Sequence, residues 1–124
     1  MYELKVQTSF EAAHRVVGYD GKCNNLHGHS WTVEVTAQGN ELDDLGMLAD
    51  FKKVKGALNE ILDSFDHHFL NEMPDFLNQN PTAENISRVI YDKMKTHPVF
   101  TGKAELKSVT VWESPHSSIT YRED

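Results

Sequence analysis

The first fifteen residues alternate between two kinds of side chain, and this pattern restricts the fold more than any other part of the sequence. The odd-numbered positions from Glu3 to Arg15 are mostly charged or polar. The even-numbered positions form the other set: Tyr2, Leu4, Val6, Thr8, Phe10, Ala12 and His14. Because successive side chains of a β-strand point to opposite faces, this period of two predicts one long strand over residues 2–15.

A second alternating run begins at about His27 and continues to Gln38. One of its faces carries His27, His29, Trp31, Val33 and Val35. Glycines, an aspartate and an asparagine pair between residues 18 and 25 mark a loop between the two runs. If the two strands form a hairpin through this loop, the end of the first strand lies opposite the beginning of the second.

The apolar period changes after Asp50, which is a suitable N-cap for a helix. Helical spacing follows at Phe51, Val54, Leu58, Ile61, Leu62 and Phe65. A second helix is predicted to begin near Thr82, another N-cap residue, and to end before Pro98. Its buried stripe consists of Ile86, Val89, Ile90 and Met94.

Two closing strands, residues 105–113 and about 117–122, complete the element order β-β-α-α-β-β. This order predicts an α+β fold with an antiparallel four-stranded sheet and two helices on one face. The length of 124 residues suits a single domain over residues 1–124.

Charge and cysteine content limit the class of protein. The net charge of −7 argues against a nucleic-acid partner, because phosphate binding needs a basic face. No apolar run approaches the roughly 20 residues that span a bilayer, and the first ten residues lack the apolar core of a signal peptide. With a single cysteine, no disulfide can form within the chain. We therefore expect a cytoplasmic protein without a membrane partner.

Three histidines fall at predicted strand positions. His27 and His29 are two residues apart on one strand, so both imidazoles leave the same face and can reach one ion. The predicted hairpin brings His14 to the same place. Three imidazoles with an open fourth position are typical of catalytic zinc. The spacing alone leaves the alternative of two solvent-facing histidines, and we expect His68, His97 and His116 to lie at the surface or in local hydrogen bonds.

Other polar residues could add chemistry to this cluster. Cys23 lies in the polar loop four residues before His27 and could be a base beside a metal, a fourth zinc ligand or a small buried residue. Asp66 and His67 suggest a carboxylate that orients an imidazole. Glu113 shares a strand face with Val111 and is either a buried carboxylate of the site or an ordinary strand-end residue.

Five motifs together resemble the 6-pyruvoyltetrahydropterin synthase / 6-carboxytetrahydropterin synthase family. The resemblance covers essentially the whole chain. The motifs are FEAAH ending at His14, C-x3-HGH from Cys23 to His29, DHHFLN from Asp66 to Asn71, PTAEN from Pro81 to Asn85, and WES ending at Ser114. The compact C-x3-HGH spacing is most similar to the bacterial 6-carboxytetrahydropterin synthases of queuosine biosynthesis.

The resemblance implies a role for each of these residues. His14, His27 and His29 would bind Zn²⁺, and Cys23 would be the base that abstracts a proton. Asp66 and His67 would form a proton relay. Glu113 would anchor the pterin ring and is counted with the catalytic residues. Thr82 and Glu84 would lie near the pterin pocket, although a helix-cap role explains them equally well.

The resemblance also implies a tunnelling fold, in which subunits join into trimers, two trimers stack into a homohexamer, and the active sites lie between subunits. The implied reaction is zinc-dependent lyase chemistry: 7,8-dihydroneopterin triphosphate becomes 6-carboxy-5,6,7,8-tetrahydropterin, with release of acetaldehyde and triphosphate. One alternative is the pyruvoyl reaction, which eliminates triphosphate without cleaving the side chain. Another is a zinc-binding or pterin-binding module without catalysis.

Overall fold

The computed structural model of the chain describes residues 1–100 and 102–124, and for Cys23 it describes the main chain only. Two long strands, β1 (Tyr2–His14) and β2 (His27–Gly39), are followed by helix α1 (Phe51–Asp63). A short strand β3 (His68–Phe69) precedes helix α2 (Ala83–Lys95), and the chain closes with β4 (Glu105–Ser114) and β5 (Ser117–Tyr121). Each predicted helix and long strand is confirmed to within about two residues.

The strands form one sheet in the order β3-β1-β2-β4-β5. The pairs β1–β2, β2–β4 and β4–β5 are antiparallel. The prediction of a purely antiparallel four-stranded sheet is therefore wrong in one respect, because β3 adds a fifth strand that runs parallel to β1. The α+β class is confirmed.

The fifth strand arises from the backbone at His67, whose φ of 59° lies in the left-handed region. This turn directs the chain leaving α1 back to β1, where the His67 N–H donates to the carbonyl oxygen of Glu11. Pairing then extends over two residues only, Ala12 with His68 and Ala13 with Phe69. A strand of two residues has no periodicity that a sequence pattern could reveal.

Both helices begin at the predicted caps. The Asp50 carboxylate accepts a hydrogen bond from the Lys52 N–H, and the Thr82 hydroxyl accepts one from the Asn85 N–H at 3.1 Å. The apolar stripes of α1 and α2 pack on one face of the sheet, α1 against β1 and α2 against β4 and β5. No helix in the described part of the chain is long and apolar enough to cross a membrane.

The face of the sheet that meets the helices supplies most of the core, with Phe10, Trp31, Val33, Val35, Val109 and Val111 among its buried residues. At one end of this face the apolar residues give way to histidines. His14 ends β1 and is only 1% exposed, and β2 begins at His27. The same alternation that builds the core therefore continues into a polar cluster at the edge of the core.

Candidate metal centre

The strand register brings three histidines together. His14 pairs directly with His27 across the β1–β2 ladder, and His29 follows two residues later on the same face. The ring centroids are 4.5 Å apart for His14 and His27, 4.7 Å for His27 and His29, and 5.2 Å for His14 and His29. The predicted convergence of the three imidazoles is confirmed.

Main-chain carbonyl oxygens select the tautomer of two of these histidines. His14 Nδ1 lies 2.7 Å from the carbonyl oxygen of Pro81, and His27 Nδ1 lies 2.6 Å from that of Asn25. A carbonyl oxygen only accepts, so we assign the proton to Nδ1 in both rings. The lone pair of each Nε2 is then free to bind a metal, the arrangement that ligand histidines usually show.

Trp31 lies beneath the cluster and is fully buried. Its ring meets the rings of His14 and His29 edge-on, with centroid separations of 4.8 and 5.2 Å. Its indole N–H donates to the carbonyl oxygen of Ala12 at 3.3 Å. The indole therefore restricts the tilt of two imidazoles and keeps water from entering the site on the core side.

Glu113 joins the histidine cluster from strand β4. Its Oε1 lies 2.9 Å from His29 Nε2 and 3.8 Å from His14 Nε2. Together, His14, His27, His29 and Glu113 offer ligand atoms that all lie within 4.8 Å of one another, so this group could hold a metal ion. The sequence offered Glu113 as a candidate carboxylate of the site but did not predict its contact with the histidines, because that contact depends on the pairing of β4 with β2.

Two buried nitrogens of the cluster lack a hydrogen-bond partner in the described part of the chain, His14 Nε2 and His29 Nε2. The approach of Glu113 to His29 is short but has no hydrogen-bond alignment. Buried polar atoms are rarely left unpaired, because an unpaired polar group in the interior costs free energy. A cation between these atoms would satisfy all of them, so the donor set fits a metal ion.

Burial lowers the pKa of His14 below its ordinary value of 6.5, and the neighbouring His27 lowers it further, although the hydrogen bond to Pro81 acts in the opposite direction. Burial also lowers the pKa of His29, while the charge of Glu113 raises it. Both rings are therefore held in the neutral form that binds metals.

Asp66 and His67 are paired, as the sequence predicted. Asp66 Oδ2 lies 3.0 Å from His67 Nδ1, and Asp66 Oδ1 accepts from the Glu11 N–H at 2.8 Å. The backbone hydrogen bond from Glu11, with a smaller contribution from His67, lowers the pKa of the Asp66 carboxyl. The His67 side chain is 78% exposed. It lines, together with His29 and Gly28, a cavity of about 510 Å³.

The remaining predicted residues are Thr82, Glu84 and Cys23. Each lies within a few residues of a cluster histidine or of Pro81, which contacts His14. Thr82 caps α2 directly after Pro81, the residue whose carbonyl oxygen contacts His14. Glu84 is exposed in the first turn of the same helix. The side chain of Cys23 lies outside the described residues, and its main chain forms a single 3₁₀ turn with Lys22 and Asn24.

The other histidines make local contacts, as expected. His68 Nδ1 lies 2.7 Å from the carbonyl oxygen of Asp66. His97 Nε2 lies 2.9 Å from a Glu60 carboxylate oxygen, while its Nδ1 accepts from the Val99 N–H. His97 thereby links the end of α2 to α1 and has no part in the metal cluster.

Comparison with known proteins identifies relatives along the whole chain. The sequence model of the 6-pyruvoyl tetrahydropterin synthase family matches residues 3–124. The 6-carboxy-5,6,7,8-tetrahydropterin synthase of Bacillus subtilis is 33% identical over 127 residues, covering 98% of this chain and 85% of the relative. The Haemophilus influenzae protein of that name is 30% identical over 145 residues, covering 99% and 100%. The solved 6-pyruvoyl tetrahydropterin synthase of Caenorhabditis elegans superposes with a TM-score of 0.83 at 30% identity, covering 99% and 96%.

Proposed function

The chain belongs to the 6-pyruvoyl tetrahydropterin synthase family, and on that premise we propose that it converts 7,8-dihydroneopterin triphosphate to 6-carboxy-5,6,7,8-tetrahydropterin. Acetaldehyde and triphosphate are the other products. The observation that carries the proposal is the convergence of three imidazoles at the end of the sheet, where two buried ring nitrogens have no hydrogen-bond partner among the described residues.

The proposed metal is zinc, held by His14, His27 and His29. Three nitrogen donors suit Zn²⁺, and catalytic zinc sites keep one position open for substrate. When bound, the ion supplies Lewis-acid polarisation of the substrate's side-chain oxygen. The Pro81 and Asn25 carbonyl oxygens accept from Nδ1 of His14 and His27, so the Nε2 lone pairs of these two rings would be available to the ion, and the Trp31 indole closes the core side of the site.

Cys23 is proposed as the base that removes a proton from the substrate side chain. A thiol near a metal ion ionises more readily than a free thiol, and the thiolate is the basic form. His67 would carry the reciprocal proton transfer. Its Nδ1 lies 3.0 Å from Asp66 Oδ2, which leaves Nε2 to exchange a proton in the cavity that His67 and His29 both line.

Glu113 is proposed to act at the end of the substrate nearest the metal. Its carboxylate contacts two of the proposed ligands, so it can accept a hydrogen bond or a proton from the side-chain hydroxyls. The predicted contact of Glu113 with the ring N–H groups remains a prediction. Glu84 and Thr82 are further candidates for contact with that edge of the ring.

The reaction branch is the finer part of the proposal. The Bacillus and Haemophilus relatives carry the carboxy name, and the C-x3-HGH spacing favours the same branch. The name of the Caenorhabditis structure favours the pyruvoyl branch, which remains the second candidate. For the carboxy branch we propose a role in queuosine biosynthesis and a cytoplasmic location, where the single thiol stays reduced.

The proposed assembly is a homohexamer, a dimer of trimers, with active sites between subunits. The exposure of the His67 side chain supports this, because a relay residue that faces solvent in one chain is available to a neighbouring copy.

Mass-spectrometric product analysis tests the proposal. The metal-loaded protein is incubated with 7,8-dihydroneopterin triphosphate, and zinc is quantified in the same sample. We expect 6-carboxytetrahydropterin and one equivalent of acetaldehyde. A 6-pyruvoyl product without acetaldehyde would assign the pyruvoyl branch, and no turnover by a zinc-loaded protein would leave a non-catalytic module.

Two variants separate the proposed roles. Cys23→Ala is expected to keep zinc and lose turnover, whereas loss of the metal would make Cys23 a ligand. Glu113→Gln is expected to keep zinc, because three imidazoles remain, and to lose most turnover. A Glu113→Gln protein that binds zinc far more weakly would instead identify the carboxylate as a fourth ligand.

A further inference from the structure

Two asparagine side chains bind the main chain where it leaves β1. Asn71 accepts from the Arg15 N–H at 2.9 Å and donates to the Arg15 carbonyl oxygen at 3.0 Å. Asn80 does the same at Val17, accepting from its N–H at 3.0 Å and donating to its carbonyl oxygen at 2.9 Å. Each amide therefore pairs with both polar groups of one residue, as a neighbouring β-strand would.

These contacts extend the order of β1 beyond its last ladder residue. The strand ends at His14, and no further β-pairing holds residues 15–17 in the described part of the chain. The sequence distance is large, 56 residues between Arg15 and Asn71 and 63 between Val17 and Asn80. We therefore refer to Asn71 and Asn80 together as the amide clamp.

The clamp is connected to the metal centre through residues next to Asn80. The carbonyl oxygen of Asn80 accepts from the Asn85 side chain at 2.8 Å, which fixes Asn80 to the first turn of α2. The next residue, Pro81, presents its carbonyl oxygen to His14 Nδ1. The segment that holds Val17 is thus the same segment that orients a proposed metal ligand.

The clamp also fixes the beginning of the loop that carries Cys23. This loop runs from residue 15 to residue 26, between the His14 and His27 ends of the two strands. Its start is held by the two amides, and Arg15 reaches Asn24 through a hydrogen bond of 2.9 Å. A loop held at these points has fewer conformations available, so the residue between them occupies a narrower range of positions.

We propose that Asn71 and Asn80 are positioning residues that set the Cys23 loop relative to the metal centre, and that Asn80 also sets the orientation of His14 through Pro81. This proposal rests on the proposed function for its effect on turnover. Its effects on loop order and metal affinity are independent of the reaction.

The test uses Asn71→Ala and Asn80→Ala in the full-length, zinc-loaded protein. Asn78→Ala is the matched control, because Asn78 is exposed in the same segment. Asn71→Asp is the conservative variant: it keeps the acceptor for the Arg15 N–H and loses the donor to the carbonyl oxygen. This variant preserves the test if an alanine variant fails to fold.

Four readouts are measured: amide hydrogen exchange of residues 15–26, the rate of alkylation of Cys23 by iodoacetamide, zinc affinity by chelator competition, and kcat and KM. Cys23 is the only cysteine in the chain, so alkylation reports it alone. We expect exchange in this segment to rise and kcat to fall about 10- to 100-fold in both alanine variants, with KM nearly constant. Asn80→Ala should also weaken zinc binding about 10-fold, which Asn71→Ala should not.

A purely structural role predicts a different result: a lower melting temperature with wild-type kcat in the folded protein. That result, or alkylation and exchange rates equal to those of Asn78→Ala, would overturn the proposal. The alkylation rate and the hydrogen-exchange rate of Asn71→Asp should each lie between those of wild type and Asn71→Ala. If the wild-type protein has no turnover, the proposed function fails, whereas exchange, alkylation and zinc affinity still decide whether the clamp positions the loop.

Discussion

At the residue scale, the histidine cluster depends on main-chain carbonyl groups, which a pattern of side chains in the sequence does not reveal. The carbonyl oxygens of Pro81 and Asn25 decide which nitrogen of His14 and His27 faces the centre. Such contacts fix the ligand geometry before a metal binds, so the ligands need little reorganisation on binding. The cluster should therefore bind zinc tightly only when all three rings are present.

His27→Ala tests this dependence on each ring. Removing one of three nitrogen donors is expected to weaken zinc binding by more than about 100-fold, the upper end of what loss of a supporting contact costs. Competition with a zinc chelator measures the change. His116→Ala is the control, because His116 is exposed in the turn between β4 and β5. Stoichiometric zinc of wild-type affinity in His27→Ala would contradict the three-histidine site.

Asp66 gives a pH-dependent prediction. The Glu11 N–H and His67 stabilise its ionised form, so its pKa in the folded protein lies below the ordinary value of 3.8. Such a group contributes stability above its unfolded pKa, and this contribution is lost as pH falls through the folded pKa. Asp66→Asn should therefore be less stable than wild type at pH 7, with the difference shrinking below pH 3.8. Urea unfolding at pH 7 and below pH 3.8 measures the difference in stability between the two proteins. A difference that does not depend on pH would exclude the charge of Asp66 as its source.

The sequence allowed prediction of the part of the site that follows from strand periodicity. His14, His27 and His29 share a face by their spacing, and their meeting required only one hairpin. Glu113 required the pairing of β4 with β2, a contact between distant segments that periodicity does not reveal. Trp31 was assigned to the histidine face, but its contacts with two of the rings depend on side-chain packing. The role of Cys23 stays a prediction.

At the element scale, α2 begins where the pterin pocket is predicted. The Thr82 hydroxyl accepts from the Asn85 N–H, which satisfies one of the free donors in the first helical turn. Thr82→Ala is expected to lower the free energy of unfolding by about 1 kcal/mol. Thermal or urea unfolding measures this loss. Thr96→Ala, at the exposed C-terminal end of the same helix, should cost less.

The same substitution separates capping from substrate binding. If Thr82 only caps α2, kcat/KM of the folded variant stays near the wild-type value. If Thr82 also contacts the pterin, KM rises as well, because the substitution then removes a contact with the substrate in addition to the helix cap. An unchanged unfolding free energy would contradict the capping role itself.

The long helices and strands were predictable from the sequence, and the short strand β3 was not. The two helices and four long strands each extend over enough residues to show their period. Strand β3 has two residues and depends on the left-handed backbone of His67 and on the Glu11 carbonyl oxygen. Glycine is the residue that usually indicates a positive φ, and this turn has a histidine instead, so the sequence pattern did not predict it.

At the scale of the whole molecule, the sheet ends in strands that can accept another strand. Strand β3 covers β1 only at Ala12 and Ala13, and Glu11 bonds His67 and Asp66, which leaves the outer edge of residues 2–10 without a β-strand partner in the described part of the chain. Strand β5 is the other end of the sheet. Open edges of this length are usually covered in stable proteins. Pairing between copies would cover them and would close the sheet into the ring that a tunnelling fold requires.

An exposed apolar patch lies beside the free edge of β1. Tyr2 and Phe51 are 51% and 64% exposed, and both line a cavity of about 590 Å³ with Met47. Single exposed apolar residues are common, but a group of them next to an unpaired strand is typical of an interface between subunits. We therefore expect this patch to be buried when copies of the chain assemble.

The assembly is tested by measuring mass in solution. A hexamer of 14.1 kDa chains has a mass of about 85 kDa, which light scattering coupled to size-exclusion chromatography resolves from a single chain. Phe51→Glu places a charge in the patch and should shift the mass towards smaller species, because a buried unpaired carboxylate is costly. Leu77→Glu is the control, since Leu77 is similarly exposed but lies in the segment before α2. A wild-type protein that is fully active at the mass of one chain would rule out both the assembly and the need for sites between subunits.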